Sequence, residues 1–110
     1  MLHHMERTKT LLYEIDGKRF DWDRIKNLIN INKHGISFKE AASVFQDENS
    51  IELDDLEHSQ DEDRFIIIGK SRRLRLVVVC HCYRENNKII RIISAREANN
   101  EESSLYGGDE

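Results

Sequence analysis

The chain has 110 residues, which suits one domain built around a single core. Charged residues make up 35% and hydrophobic residues 38%, so that core must be small and the surface heavily charged. No apolar run approaches the roughly 20 residues of a membrane helix. Residues 1–5 lack the apolar stretch of a secretory signal, so a cytoplasmic protein without membrane contact is expected.

The net charge of −4 argues against nucleic-acid binding, but its distribution does not. Residues 47–63 hold nine acidic residues and no Lys or Arg, and residues 97–110 hold five acidic residues and no Lys or Arg. That leaves 7 of the 21 acidic residues against all 17 basic ones, or +10 over residues 1–46 and 64–96. Segregation along the chain either builds a basic face beside an acidic one or is interleaved by folding into an ordinary mixed surface. Cys80 and Cys82 share one face of an apolar strand, where close neighbours rarely form a disulfide. His81 between them points the other way, so reduced core thiols are expected and a metal site is not.

In chain order, residues 9–15 and 18–20 flank Asp16-Gly17, a two-residue hairpin signal. Residues 22–33 read as a helix, with Asp21 or Asp23 as its cap and Ile25, Leu28, Ile29 and Asn32 at helical spacing. Gly35 suits the left-handed residue that ends it. Ser37 and Glu40 have the spacing of a capping box and open a short helix carrying Phe38, Ala41, Ala42 and Phe45. A weak strand near 51–53 and a polar loop follow.

Three stronger strands come next, over 64–70, 74–84 and 88–97. In the second, Arg75, Val77, Val79, His81 and Tyr83 share one face, and Leu74, Leu76, Val78, Cys80 and Cys82 the other. Asn86-Asn87 makes the turn into the third, because Asn tolerates positive φ. That third strand holds Ile89, Ile90, Ile92 and Ile93 with Arg91 and Arg96 planted among them. Simple alternation puts the two arginines on opposite faces unless a bulge intervenes. Residues 98–106 form a terminal helix with Glu102 and Tyr106 on one face. The order ββ, αα, an antiparallel meander and α makes an α+β fold, with an N-terminal β-hairpin and two helices packed on an antiparallel sheet and a C-terminal helix. Residues 1–110 read as one domain, with 1–8 and 107–110 disordered.

Several motifs then fall together: Phe20-Asp21-Trp22-Asp23, Lys33-His34-Gly35-Ile36-Ser37-Phe38, Glu40-Ala41, His58-Ser59, Arg64, Gly69-x-Ser71, Arg75, and Ile90-Arg91-Ile92-Ile93-Ser94-Ala95-Arg96, closed by Glu102 and Tyr106. The ordered series resembles the BrnT family, the toxin half of a bacterial type II toxin–antitoxin pair, from about Phe20 to Tyr106. The resemblance implies a RelE-like fold and a ribonuclease that arrests translation by cutting RNA. It implies a BrnA-like antitoxin with a ribbon-helix-helix domain, and contact with operator DNA only through that antitoxin. The last helix departs from the pattern: Asn99, Asn100, Glu101 and Glu102 stand where family members tend to be basic.

Metal-free RNA cleavage needs a base for the 2′-hydroxyl, a cation for the charge gathering on phosphorus and an acid for the leaving 5′-oxygen. No cofactor is expected. Arginine suits the cationic role, because its planar fork grips phosphate and stays charged. Arg91 is the first choice, Arg75 the second, with Arg96 and His34 as further catalytic candidates; an ion pair with a carboxylate is the rival reading for Arg91. Lys33, Arg64, His81, Ser94 and Tyr106 are the expected RNA contacts. Several of these candidates have a structural alternative: a helix-dipole role for Lys33 and His34, a surface salt bridge for Arg64, a satisfied sheet histidine at His81, and helix packing for Tyr106. Trp22 reads as core. The rival functional class is a non-catalytic module that binds the antitoxin and contributes to operon autoregulation.

Overall fold

Asp16 and Gly17 both take positive φ, 48° and 82°, and so close the two-residue hairpin that their sequence asks for. The hairpin joins β1 (Thr10–Ile15) to β2 (Lys18–Asp23). The structure is a computed structural model and describes residues 9–107. Beyond the hairpin come α1 (Arg24–His34), α2 (Phe38–Ser43), β3 (Ile51–Asp54), β4 (Phe65–Lys70), β5 (Leu76–Arg84), β6 (Ile89–Glu97) and α3 (Asn100–Tyr106). Single 3-10 turns lie at Val44–Gln46 and Leu56–His58. The expected disorder of 1–8 and 107–110 falls outside the described residues, except at Gly107, which caps α3.

The six strands form one sheet in the order β1-β2-β6-β5-β4-β3. Its fully antiparallel character is corrected by one pairing. β2 lies parallel to β6, with Phe20 opposite Ile90 and Asp21 opposite Arg91. The hairpin therefore extends the meander as its edge instead of packing on it, and the sheet is mixed. Phe20, Trp22, Ile36, Phe38, Ala41, Ala42, Val77, Val79, Ile92 and Ala95 build the core between the sheet and α2. Trp22, the largest of them, is 1% exposed and closes with Phe38 edge-to-face.

Helix α1 begins two residues later than its pattern indicates, because Trp22 and Asp23 stay in β2. Asp23 is the N-cap, accepting from the backbone N–H of Ile25 and Lys26. Gly35 ends the helix at φ 72°, its N–H bonded to Ile31 O at 2.8 Å. The helix runs where β2 would otherwise continue, alongside β6. Asn30 acts there as a substitute ladder residue. Its Nδ2 donates to Ala95 O at 2.9 Å, and Ala95 N donates to its Oδ1 at 3.1 Å. The stretch of β6 beyond its pairing with β2 is thus satisfied at Ala95 by one side chain.

This arrangement overturns the expected orientation of α1. The inward residues are Asn27, which caps Phe38 N at 2.8 Å, and Asn30, the only buried residue of the helix. Ile25, Leu28, Ile29 and Ile31 face solvent. The capping box at α2 is also half formed. Ser37 accepts from Glu40 N at 3.1 Å, but the Glu40 carboxylate turns away into the interior. A complete box appears instead at α3, between Asn99 and Glu102.

Candidate active site

The decisive local feature is a register shift between β5 and β6. Cys80 pairs with Ser94, but His81 pairs with Ile92, so Ile93 is left without a partner. Ile90 and Ile92 are buried before the bulge and Ala95 after it, which inverts the phase of the strand. Arg91 opposite Cys82, Ser94 opposite Cys80 and Arg96 opposite Val78 all come to one face, away from α2. The two arginines that simple alternation separates are reunited.

On that face lies a cleft of about 190 Å³. Ile66, Val78, Cys80 and Ile93 form its floor, and Arg64, Ser94 and Arg96 its rim. Asp55 and His58 close it from the loop between β3 and β4. The loop is tied at its neck: Asp55 N donates to Arg64 O at 2.8 Å, and the Ser59 hydroxyl donates to Asp55 O at 2.7 Å and accepts from Arg64 N at 2.9 Å.

His58 Nδ1 lies 3.0 and 3.1 Å from the two Asp55 carboxylate oxygens, while its ring is 61% exposed. A carboxylate on Nδ1 orients the ring and leaves Nε2 to exchange a proton. This histidine lines the cleft but was not among the candidates read from the sequence; its only signal was the His58-Ser59 pair inside the polar loop. Cys80 Sγ also contacts Asp55, at 3.7 Å. Burial and the Asp55 charge push its thiol up to about 11, so it stays protonated and is no nucleophile.

The arginines differ in how far they are committed. Arg64 has a buried Nε without a hydrogen-bond partner, and its nearest carboxylate, Glu62, is 3.6 Å away. Arg91 Nη1 lies 3.4 Å from Asp21 Oδ1, a charge contact too loose to hold its fork. Arg96 is gripped at two points by Glu102, at 2.8 and 2.7 Å. Those bonds hold the Glu102 carboxyl below its ordinary value.

The remaining candidates stand apart from the cleft. Arg75 is on the opposite face, where Nε and Nη2 pair with Glu40 at 3.0 and 2.6 Å and Nη2 also donates to Gly35 O at 3.0 Å. That bond brings Arg75 beside the exposed Lys33 and His34, which therefore do not share the cleft with Arg96. The expectation that His81 contacts RNA is corrected by burial. Its ring is 0% exposed, packs against Phe45, Phe65 and Tyr83, and is hydrogen-bonded to Val79 O and Glu52. Tyr106, another expected RNA contact, donates its hydroxyl to Asp47 Oδ2 at 2.7 Å and so ties α3 to the segment before β3.

Residues 22–102 match the family model described as the ribonuclease toxin, BrnT, of type II toxin–antitoxin system. The chain belongs to the BrnT family. The match takes in the Arg64–Arg96 cleft, the loop carrying His58 and the bulged strand. The fold is also similar to the crystal structure of the Brucella abortus ribonuclease toxin, BrnT. That likeness has a TM-score of 0.54 at 23% identity, covering 72% of this chain and 94% of the Brucella one. No curated protein matches the sequence. As a BrnT toxin the chain is one half of a type II pair, and an antitoxin is its partner. Among the described residues, no helix is long and apolar enough to cross a membrane.

Proposed function

We propose that this BrnT toxin is an endoribonuclease that cuts RNA in the cleft beneath the 55–64 loop, without a metal, and is neutralised by a BrnA-like antitoxin. The observation that carries the reading is the Asp55-held His58 facing Arg64, Ser94 and Arg96 around one cleft. A phosphodiester seated there meets the accessible part of the Arg64 guanidinium, which Glu62 holds only loosely, and, with a shift of Glu102, the fork of Arg96.

In the proposed reaction His58 Nε2 takes the proton of the 2′-hydroxyl. The 2′-oxygen attacks phosphorus as the P–O5′ bond breaks. Arg64 and Arg96 stabilise the charge that gathers on the non-bridging oxygens, and Arg91 adds positive potential from the same face. Protonated His58 returns its proton to the departing 5′-oxygen. The products are a 2′,3′-cyclic phosphate and a 5′-hydroxyl. Arg75, Lys33 and His34 lie outside this chemistry. Arg75 positions the turn after α1, and Lys33 and His34 provide basic charge for RNA or antitoxin. Repression of operator DNA belongs to the antitoxin-bound complex.

The test is cleavage of a labelled RNA by the purified chain with and without EDTA, followed by end-group analysis. Cleavage unchanged by EDTA, with cyclic phosphate ends and a His58→Ala variant slowed by roughly 100-fold or more, is the expected result. Intact RNA under both conditions, together with growth unaffected by induction of the chain alone, removes the enzyme reading.

A further inference from the structure

Helix α1 presents its polar side to the protein and its apolar side to water. Ile25 is 54% exposed, Leu28 61% and Ile29 57%, and Ile31 follows at 40%. These are four of the nine large apolar side chains exposed among the described residues. Ile25, Leu28 and Ile29 stand at i, i+3 and i+4 and form one continuous ridge. A contiguous exposed ridge of this kind marks a surface meant for a partner.

The charged side chains of the helix itself have a single sign. By helical spacing, Lys26 and Lys33 flank it on one side and Arg24 on the other. No acidic residue occurs in Arg24–His34. The bases complement an anionic partner, and the ridge demands an apolar one. RNA satisfies the first requirement only. An amphipathic polypeptide with acidic flanks satisfies both.

We propose that the outward face of α1 is the docking surface for an acidic amphipathic segment of the antitoxin, with apolar residues set on Ile25, Leu28 and Ile29 and carboxylates on Arg24, Lys26 and Lys33. The proposal rests on membership of a type II pair and is independent of the assignment of the cleft. The face is rigidly held for this purpose. Asn30 bonds α1 to β6, and Asn27 bonds it to the start of α2, so the ridge is presented without any need for its own apolar side to pack. Specific packing comes from the ridge, and the flanking bases steer encounter and add salt dependence.

The experiment uses the full chain and the antitoxin encoded beside it. Leu28→Glu and Ile29→Glu lie on an exposed face, so both variants are expected to fold, which thermal melts check. Each is expected to weaken antitoxin binding by roughly 10- to 100-fold. Lys26→Glu is expected to weaken it less and to flatten its dependence on salt. Leu74→Glu, at an exposed turn remote in sequence, is expected to leave binding unchanged. Wild-type affinity in folded Leu28→Glu and Ile29→Glu overturns the proposal. A chain that dimerises alone and becomes monomeric on Leu28→Glu also overturns it, because the ridge then serves a second copy. If the isolated chain cuts no RNA but Leu28→Glu still sheds antitoxin, the cleavage reading fails and the docking surface stands.

Discussion

Glu40 and Arg75 form a two-point ion pair, Oε1 to Nη2 at 2.6 Å and Oε2 to Nε at 3.0 Å, across the junction of α2 and β5. The Glu40 side chain is 3% exposed and takes a third bond from the Ser71 hydroxyl at 2.7 Å. Removing Arg75 strands a buried carboxylate. Arg75→Ala is therefore expected to cost about 3–5 kcal/mol of stability, while the folded fraction retains its rate of RNA cleavage. Denaturant unfolding and activity per folded molecule separate the two effects. An Arg75→Ala protein of wild-type stability and abolished cleavage would restore Arg75 to the reaction.

Acid should unfold the protein through the same pair. Burial raises the Glu40 carboxyl, but the bonds from Arg75 and Ser71 outweigh it and leave the group below its ordinary value. Asp47 behaves likewise, with Lys70 N–H and the Tyr106 hydroxyl outweighing burial. A carboxyl depressed in the folded state stabilises the fold above its unfolded value, about 4. That contribution is lost as pH falls through the depressed folded value. Urea midpoints are expected to be flat from pH 7 to 5 and to drop below about pH 4. Glu40→Gln should shrink that drop.

Arg64 and Arg96 predict opposite responses to single changes. Arg64→Ala removes a weakly paired cation at the cleft, so RNA affinity is expected to fall and the salt slope to shrink by about one, with little loss of stability. Glu102→Gln weakens the clamp on Arg96 and should raise RNA affinity. It also loses a charged capping partner at α3, at a cost of roughly 0.5–2 kcal/mol. Filter binding across a salt series reads both. Unchanged slopes in both variants would remove these arginines from the RNA site.

Gly69 is required by space. A Cβ there would stand 2.9 Å from Ser50 Cβ and 3.0 Å from Val44 Cγ1. Gly69→Ala is expected to cost about 1–3 kcal/mol by overpacking. Because Asp47 Oδ2 lies 3.1 Å from the same point and also holds Tyr106, α3 should loosen with it. Hydrogen exchange in α3 against the central strands checks this.

The strands and turns are legible in the sequence because they rest on local chemistry. Asp16-Gly17 closes its hairpin, the isoleucines of β6 form their strand, and Asn86 and Asn87 take positive φ at the turn, joined by Glu85. The membership of Arg64, Ser94 and Arg96 in one site is partly legible through the family motifs. The His58–Asp55 pair is not, because it depends on how a polar loop folds back over the sheet.

What the sequence by itself determined is the set of elements and the amphipathic stripe on α1; periodicity carries both. Tertiary structure alone decided which way that stripe faces and which face Arg96 takes. Two asparagines outcompete four apolar side chains for the inward side of α1, because backbone groups of β6 beyond its pairing with β2, and the first N–H of α2, have to be satisfied. One unpaired residue, Ile93, moves every later side chain of β6 to the other face. Neither event leaves a local signal: Asn30 answers Ala95, 65 residues further along the chain, and the bulge in β6 is set by how that strand pairs with β5.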